Sequence, residues 1–390
     1  MTIKSGLREI ITLWNLILIN IFFVDKSIFF CIFVNKTQMV MDRQLFAQRV
    51  KNARVMCGLT LDELCEKMGN LVSKQSLSKY EKGVMMPENN VIVAIAKALN
   101  VNLEYFFRPL SSINKVEFRK KSTLGVKKQE QVKECVRDIT ERYITIEQLL
   151  GINISFQNPI EDIMVEDCDG VENVVRELRK GWWTGLRNLS NVVELLEDKG
   201  IKVLMVDFDK SFEGLSAWVN DNEFPVVVIN KNMSVERIRF TAMHELGHLL
   251  LNIPSELPDK EKEKICHRFA NAMLLPKEAL IEEVGNKRRG IALPELIAIK
   301  EQYGISVAAV LMRMRDLGII NNSYYKNFYI SHISKDRQEE KLGGYKGVEE
   351  SNRFMMLLNR AVAEEVVTMS RAAELSNVKL ATFRSEYLSI

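Results

Sequence analysis

The chain contains four histidines, and two of them, His244 and His248, fall in the stretch MHELGH, four residues apart on either side of Glu245. In a helix, residues four apart stand one above the other on the same face. Two imidazoles at that spacing can therefore converge on one point. Zn²⁺ takes neutral imidazole nitrogens, and a catalytic zinc keeps one of its four positions for water. Glu245, one residue along from His244, is turned about a quarter of the way round the helix. It can reach a metal-bound water without ligating the metal, which is the arrangement of two ligands and a general base that H-E-x-x-H encodes. The chemistry implied is hydrolysis of a carbonyl compound, with Glu245 taking the proton of a water that the metal acidifies. A third ligand must come from elsewhere. The following stretch, DKEKEKICHRFANAMLLP, offers Glu261, Glu263 and His267. Glu263 and His267 are themselves four apart and share a face, so geometry leaves the choice open.

These residues need a scaffold, and the sequence around them supplies one. Three β-branched runs, IKVLMV at 201–206, LSAWV at 215–219 and PVVVIN at 225–230, are separated by polar or Gly-containing turns and read as strands. Ser234 is placed to cap the helix VERIRFTAMHELGHLLLN, which must end before Pro254. Within it Ala242, Leu246, Leu249 and Leu250 surround the two histidines with apolar surface. A second helix is expected from about Lys260 to Leu275, stopped by Pro276. From there to residue 390 the pattern is mostly helical.

The N-terminal third has a different character. The first forty residues are rich in Ile, Phe, Leu and Asn. Asp25 and Lys26 interrupt any span of the roughly 20 apolar residues that a membrane helix needs, and no small-residue cleavage site follows. The stretch reads as translated spacer upstream of a start at Met39 or Met41. Residues 41–109 read as a set of short helices: MDRQLFAQRVKNARVMCG ending at Gly58; LDELCEKMG capped by Thr60, with Glu63 at the capping-box spacing; KQSLSKYEKG capped by Ser73 and ended by Gly83; NNVIVAIAKALN; and a short LEYFF. Residues 111–135 are basic and poor in large apolar side chains, as a tether is. Six scattered cysteines without a C-x-x-C pair, and a net charge of +3, suit a cytoplasmic protein with reduced thiols. No membrane association is expected.

The segments RVKNARVMCGLTLDELCEKMG, VSKQSLSKYEKG and VIVAIAKALNVNLEYFF resemble the helix-turn-helix of the Cro/lambda-repressor-like (XRE) family. In that family the second helix of the motif enters the major groove of double-stranded DNA. Carried over, Lys74, Gln75 and Lys79 become base readers, Ser76 and Lys82 hold phosphates, and Arg54 and Glu81 form an ion pair that braces the fold. Two features depart from the pattern. GNLVS makes the turn about two residues longer than the commonest form, and Leu61 stands where a Gln often helps to hold DNA.

The stretches RFTAMHELGHLLLN, EKICHRFANAMLLP and YGISVAAVLMRMRDLGII, with LSAWVNDNEFPVVVIN before them, resemble the ImmA/IrrE family of zinc peptidase-like proteins. The resemblance implies Glu263 as the third zinc ligand and places His267, at a position often taken by Asn, behind the ligands. The fold class implied is α+β, mainly α. A helix-turn-helix domain at 41–110 and the basic tether at 111–135 precede a zincin-like domain with a small sheet at 136–320, and a helical extension follows at 321–390. The function implied is that of a cytoplasmic DNA-binding regulator. Its Zn²⁺-dependent endopeptidase cleaves a protein, a repressor or an antitoxin, with a DNA operator as its other partner and with room for a homodimer. A substrate peptide is expected to add as a strand beside PVVVIN. The rival reading is a non-proteolytic repressor or antitoxin whose metal domain senses a ligand or partner.

Overall fold

The computed structural model describes residues 43–108, 116–118, 125–152, 155–208, 211–219, 224–334 and 341–388. The apolar leader, and residues 111–115 and 119–124 of the basic stretch, lie outside the described residues. The fold is α+β and mainly helical, and the described residues form two compact units. One runs to Arg54 and from Thr60 to Arg108, and the other takes Val55–Leu59 and the chain from Val116 onward.

In the first unit, α1 (Arg43–Met56), α2 (Leu61–Lys67), α3 (Lys74–Glu81), α4 (Asn89–Leu99) and a 3₁₀ turn (Leu103–Phe107) follow the apolar pattern of the sequence. Thr60 and Glu63 form the expected reciprocal capping box, and Ser73 accepts from the backbone N–H of Ser76. The α2–α3 turn needs two consecutive left-handed residues, and Gly69 (φ 66°) and Asn70 (φ 57°) supply them. Phe46, Val50, Leu64, Leu77, Ile95 and Phe106 close the core of this unit.

The second unit is built on a four-stranded sheet of β1 (Val116–Phe118), β2 (Lys202–Val206), β3 (Gly214–Val219) and β4 (Phe224–Asn230), in the order β1-β3-β4-β2. β4 pairs antiparallel with β3 and parallel with β2. It is therefore an interior strand with both edges already paired. A substrate strand cannot add beside PVVVIN, and that expectation is corrected. Successive side chains point to opposite faces of a strand, and both faces here are buried. Val226 and Val228 pack with Leu215, Ala217 and Val219 against the long helix α5 (Val126–Leu149), through its Val132 and Val136. Because those two valines lie under the sheet, the second half of the stretch read as a tether is helix. Val227 and Ile229 face the main core.

That core is assembled by α6 (Val171–Gly181), α7 (Val192–Asp198), α8 (Val235–Leu250), α9 (Asp259–Leu274), α10 (Lys277–Val284), α11 (Leu293–Tyr303), α12 (Val307–Asp316) and α13 (Asn322–Phe328). A π-helical turn, Tyr329–Ser334, follows α13. Ser234 caps α8, accepting from the N–H of Arg237. Charged groups tie the layers. Glu172 of α6 accepts from Arg313 of α12 at 2.8 and 2.9 Å and pairs with Arg268 of α9 at 3.2 Å. Burial pulls the Glu172 carboxyl upward, but Arg313 and Arg268 outweigh it and hold it below its ordinary range. Among the described residues no helix is long and apolar enough to cross a membrane.

The C-terminal helices α14 (Arg353–Ala363), α15 (Met369–Ser376) and α16 (Leu380–Leu388) pack on the far end of α5, where Tyr143 and Ile146 meet Leu358, Ala361, Ala373 and Phe383. Before them, residues 341–352 run back over the core. The Glu349 carboxylate is buried, accepts from the N–H groups of Val192 and Val193 at 2.8 and 3.0 Å, and pairs with Arg239 of α8.

Candidate metal centre and nucleic-acid face

α8 passes under β3 and β4 and against α9, and two glycines set how close these elements come. At Gly247, between the two histidines, a Cβ would stand 3.1 Å from the Phe269 ring and 3.4 Å from the Cα of Cys266. At Gly214 it would meet Thr241 Cγ2 at 2.5 Å and the Val228 carbonyl oxygen at 2.9 Å. The first contact brings α9 close enough to share a site with α8. The second brings β3 down onto the turn that carries Glu245.

The result is a compact set of donor atoms. His244 Nε2 and His248 Nε2 are 3.2 Å apart. Glu263 presents one carboxylate oxygen to each ring, Oε2 to His244 and Oε1 to His248, both at 3.4 Å. Zn–N distances of about 2.0–2.1 Å imply about 3.3 Å between neighbouring ligand atoms of a tetrahedral site. The two imidazole nitrogens stand at about that separation, and each has one Glu263 oxygen near it, so the three side chains are of the type and spacing that fit zinc. For His248 the contact of Nδ1 with Cys266 Sγ at 3.5 Å, behind the ring, agrees with ligation through Nε2, whereas His244 Nδ1 is buried with no hydrogen-bond partner among the described residues. Glu245 is buried beside the ligands, and its Oε2 accepts a hydrogen bond from Ser216 Oγ of β3 at 3.0 Å.

His267 is also here. One donor atom from each of His244, Glu263 and His267 lies within 4.8 Å of the others. The His267 ring sits 4.4 Å from that of His244 and stacks on Phe240 at 5.5 Å. Glu261 has turned away from the cluster and pairs with Lys264 at 2.7 Å. On the outer side of His267 and Phe240 opens a cleft of about 1220 Å³, lined also by Arg237, Arg268, Asn271, Lys300 and Tyr325.

In the first unit, Lys74, Gln75, Lys79 and Lys82 are exposed along and just beyond α3, and Ser76 is half-buried at its start. Lys74 Nζ is 2.6 Å from Asp62 of α2 in an exposed pair. Arg54 and Glu81 form a two-point ion pair at 2.6 and 2.9 Å that joins α1 to the end of α3.

Sequence reasoning missed Ser216, Gly214 and Cys266. A lone serine in the run LSAWV carries no signal until the strand's inward face is known to meet Glu245. Gly214 reads as an ordinary turn residue.

Two parts of the chain match known families. Residues 196–315 match the IrrE N-terminal-like domain, a peptidase family, and residues 50–106 match a helix-turn-helix family. The chain thus joins a helix-turn-helix segment to an IrrE-like segment that contains α8, α9 and the donor cluster. It is also 37% identical over 68 residues to an uncharacterised helix-turn-helix-type transcriptional regulator of Rickettsia prowazekii. That match covers 17% of this chain and 51% of the relative, so the chain spans about half the length of the relative.

Proposed function

We propose that the protein is a DNA-binding transcriptional regulator whose second part is a zinc-dependent endopeptidase acting on another protein, a repressor or an antitoxin. The observation that carries the enzymatic half is the position of Glu245. It is one residue from His244, buried, and held by a hydrogen bond from Ser216. His244, His248 and Glu263 would hold the metal. When bound, zinc supplies an acidified water and a polarised carbonyl. Glu245 would accept the proton of the water on its carboxylate and return it to the leaving amine. Ser216 fixes the rotamer of that carboxylate. The peptide would lie near β3, the strand whose Ser216 holds Glu245. The DNA-binding half rests on the exposed row Lys74, Gln75, Lys79 and Lys82, with Ser76 at the helix N-terminus.

A pure metal-sensing repressor or antitoxin would need the ligands but not Glu245. The two readings separate on Glu245→Gln. Gln is nearly isosteric, so zinc content and operator binding should be retained, while cleavage of the repressor or antitoxin encoded beside this gene should fall by about 10²–10⁴-fold. His244→Ala should lose metal and cleavage together. If the wild type cuts nothing and Glu245→Gln regulates its operator normally, the sensing reading replaces this one.

A further inference from the structure

We propose that His267 is a fourth, exchangeable ligand of the metal centre, so that the resting site is closed by three imidazoles and one carboxylate. The proposal rests on the reading of His244, His248 and Glu263 as ligands. A catalytic zinc has three protein ligands and an open position, whereas a site with four is closed to water. His267 lies one helical turn after Glu263 on the same face of α9, and side chains four apart in a helix are neighbours. Its ring is 4.4 Å from that of His244, and its donor atom lies within 4.8 Å of donor atoms on both His244 and Glu263. A tetrahedral site needs about 3.3 Å between such atoms. A small side-chain rotation therefore brings the imidazole into the remaining position.

Two further observations explain why the ligand is exchangeable and not fixed. His244 is buried, but His267 is exposed and forms part of the wall of the 1220 Å³ cleft, stacked on Phe240 at 5.5 Å. The cleft gives the ring somewhere to go. One turn further along α9, Asn271 lines the same cleft and keeps a buried Oδ1 with no hydrogen-bond partner among the described residues. In the ring position described that oxygen is unpartnered, so it becomes an acceptor for the imidazole N–H only after a further outward rotation. A protein substrate or a ligand that fills the cleft and displaces His267 outward would open the water position, and one that presses it inward would keep the centre shut.

The test uses the full-length protein loaded with zinc or cobalt, beside His267→Ala and His267→Asn. X-ray absorption of the zinc proteins should count three imidazoles in the wild type and two in both variants. The visible spectrum of the cobalt wild type should respond weakly to acetohydroxamate, a small bidentate metal ligand. Both variants, with a position open, should respond strongly at the same concentration. Two imidazoles in every protein, with equal responses to acetohydroxamate, would overturn the proposal while leaving the three-ligand centre intact. Failure of the wild type to bind either metal would overturn both. Because His267 is exposed, the variants should fold, and retained operator binding checks this independently of the metal.

Discussion

Glu263 of α9 presents a different carboxylate oxygen to each of the two histidines of α8, both at 3.4 Å. Its neighbours show what is legible in single residues. The four-residue spacing of His244 and His248 predicts that their rings converge, and the two Nε2 atoms stand 3.2 Å apart. Among Glu261, Glu263 and His267 the spacing could not choose, because all three fall within two turns of one helix. The choice depends on how α8 and α9 cross, which Gly247 decides by letting the backbones approach. Ser216 was illegible for the same reason, since its role comes from a strand register and not from its own neighbours in sequence. Along and just beyond α3, the helix proposed to face DNA, Lys74, Gln75, Lys79 and Lys82 are exposed, and each can be tested alone. Gln75→Ala should weaken operator binding by about 1–3 kcal/mol and relax specificity at one base pair. Lys82→Ala should weaken operator and random DNA alike and reduce the salt slope by about one. Titrations of both variants on both DNAs at two salt concentrations decide the matter. If neither differs from the wild type, α3 is not the reader.

At the scale of elements, local signals were reliable where they were chemically complete. Thr60 with Glu63, Ser73 and Ser234 cap helices as their positions predict, and the three β-branched runs form β2, β3 and β4 within a residue at either end. The arrangement of the strands was not legible. A run such as PVVVIN reads the same at an edge as in the interior, and only the pairing with both β2 and β3 shows β4 to be central. The same limit applies to α5, whose start looks solvated until Val132 and Val136 are seen beneath the sheet. One element end carries a pH dependence. Near the end of α7, Glu197 is buried, and burial pushes its carboxyl up to about 7, against the opposing pull of the Ser351 hydroxyl and Arg353. Its folded value is raised, so its contribution to stability is complete below the ordinary carboxylate range and is lost as pH rises through about 7. Glu197→Gln removes that loss. The variant should match the wild type near pH 5 and exceed it at pH 8, by on the order of 2 kcal/mol. Urea denaturation at the two pH values is the check, and an equal midpoint at pH 8 would refute the assignment.

On the scale of the whole molecule, the two functions proposed sit in separately built units, each with its own core. This is why the resemblances could be drawn segment by segment from sequence. What sequence could not reveal is a long-range tie within the second unit. Arg239 lies on the same helix as His244, five residues before it, and its guanidinium is fully buried against the Glu349 carboxylate, with the carbonyl of Gly304 accepting from Nε and those of Leu189 and Tyr303 from Nη2. A buried charge whose partner is missing destabilises strongly, by about 3–5 kcal/mol. Arg239 precedes its partner by 110 residues. At a translation rate of about 5–20 residues per second, that separation is a delay of roughly 5–20 s. Once residue 263 has been made, the candidate donors His244, His248 and Glu263 are all present, yet the helix bearing two of them still lacks the partner of Arg239. The centre should therefore mature only after the segment containing Glu349 has left the ribosome. Nascent chains stalled with Glu349 still inside the exit tunnel should expose α8 to protease, and chains stalled some 40 residues later should protect it. The order of synthesis would thus hold the proposed peptidase centre unfinished until the segment that carries Glu349 has emerged, whatever metal is present in the meantime.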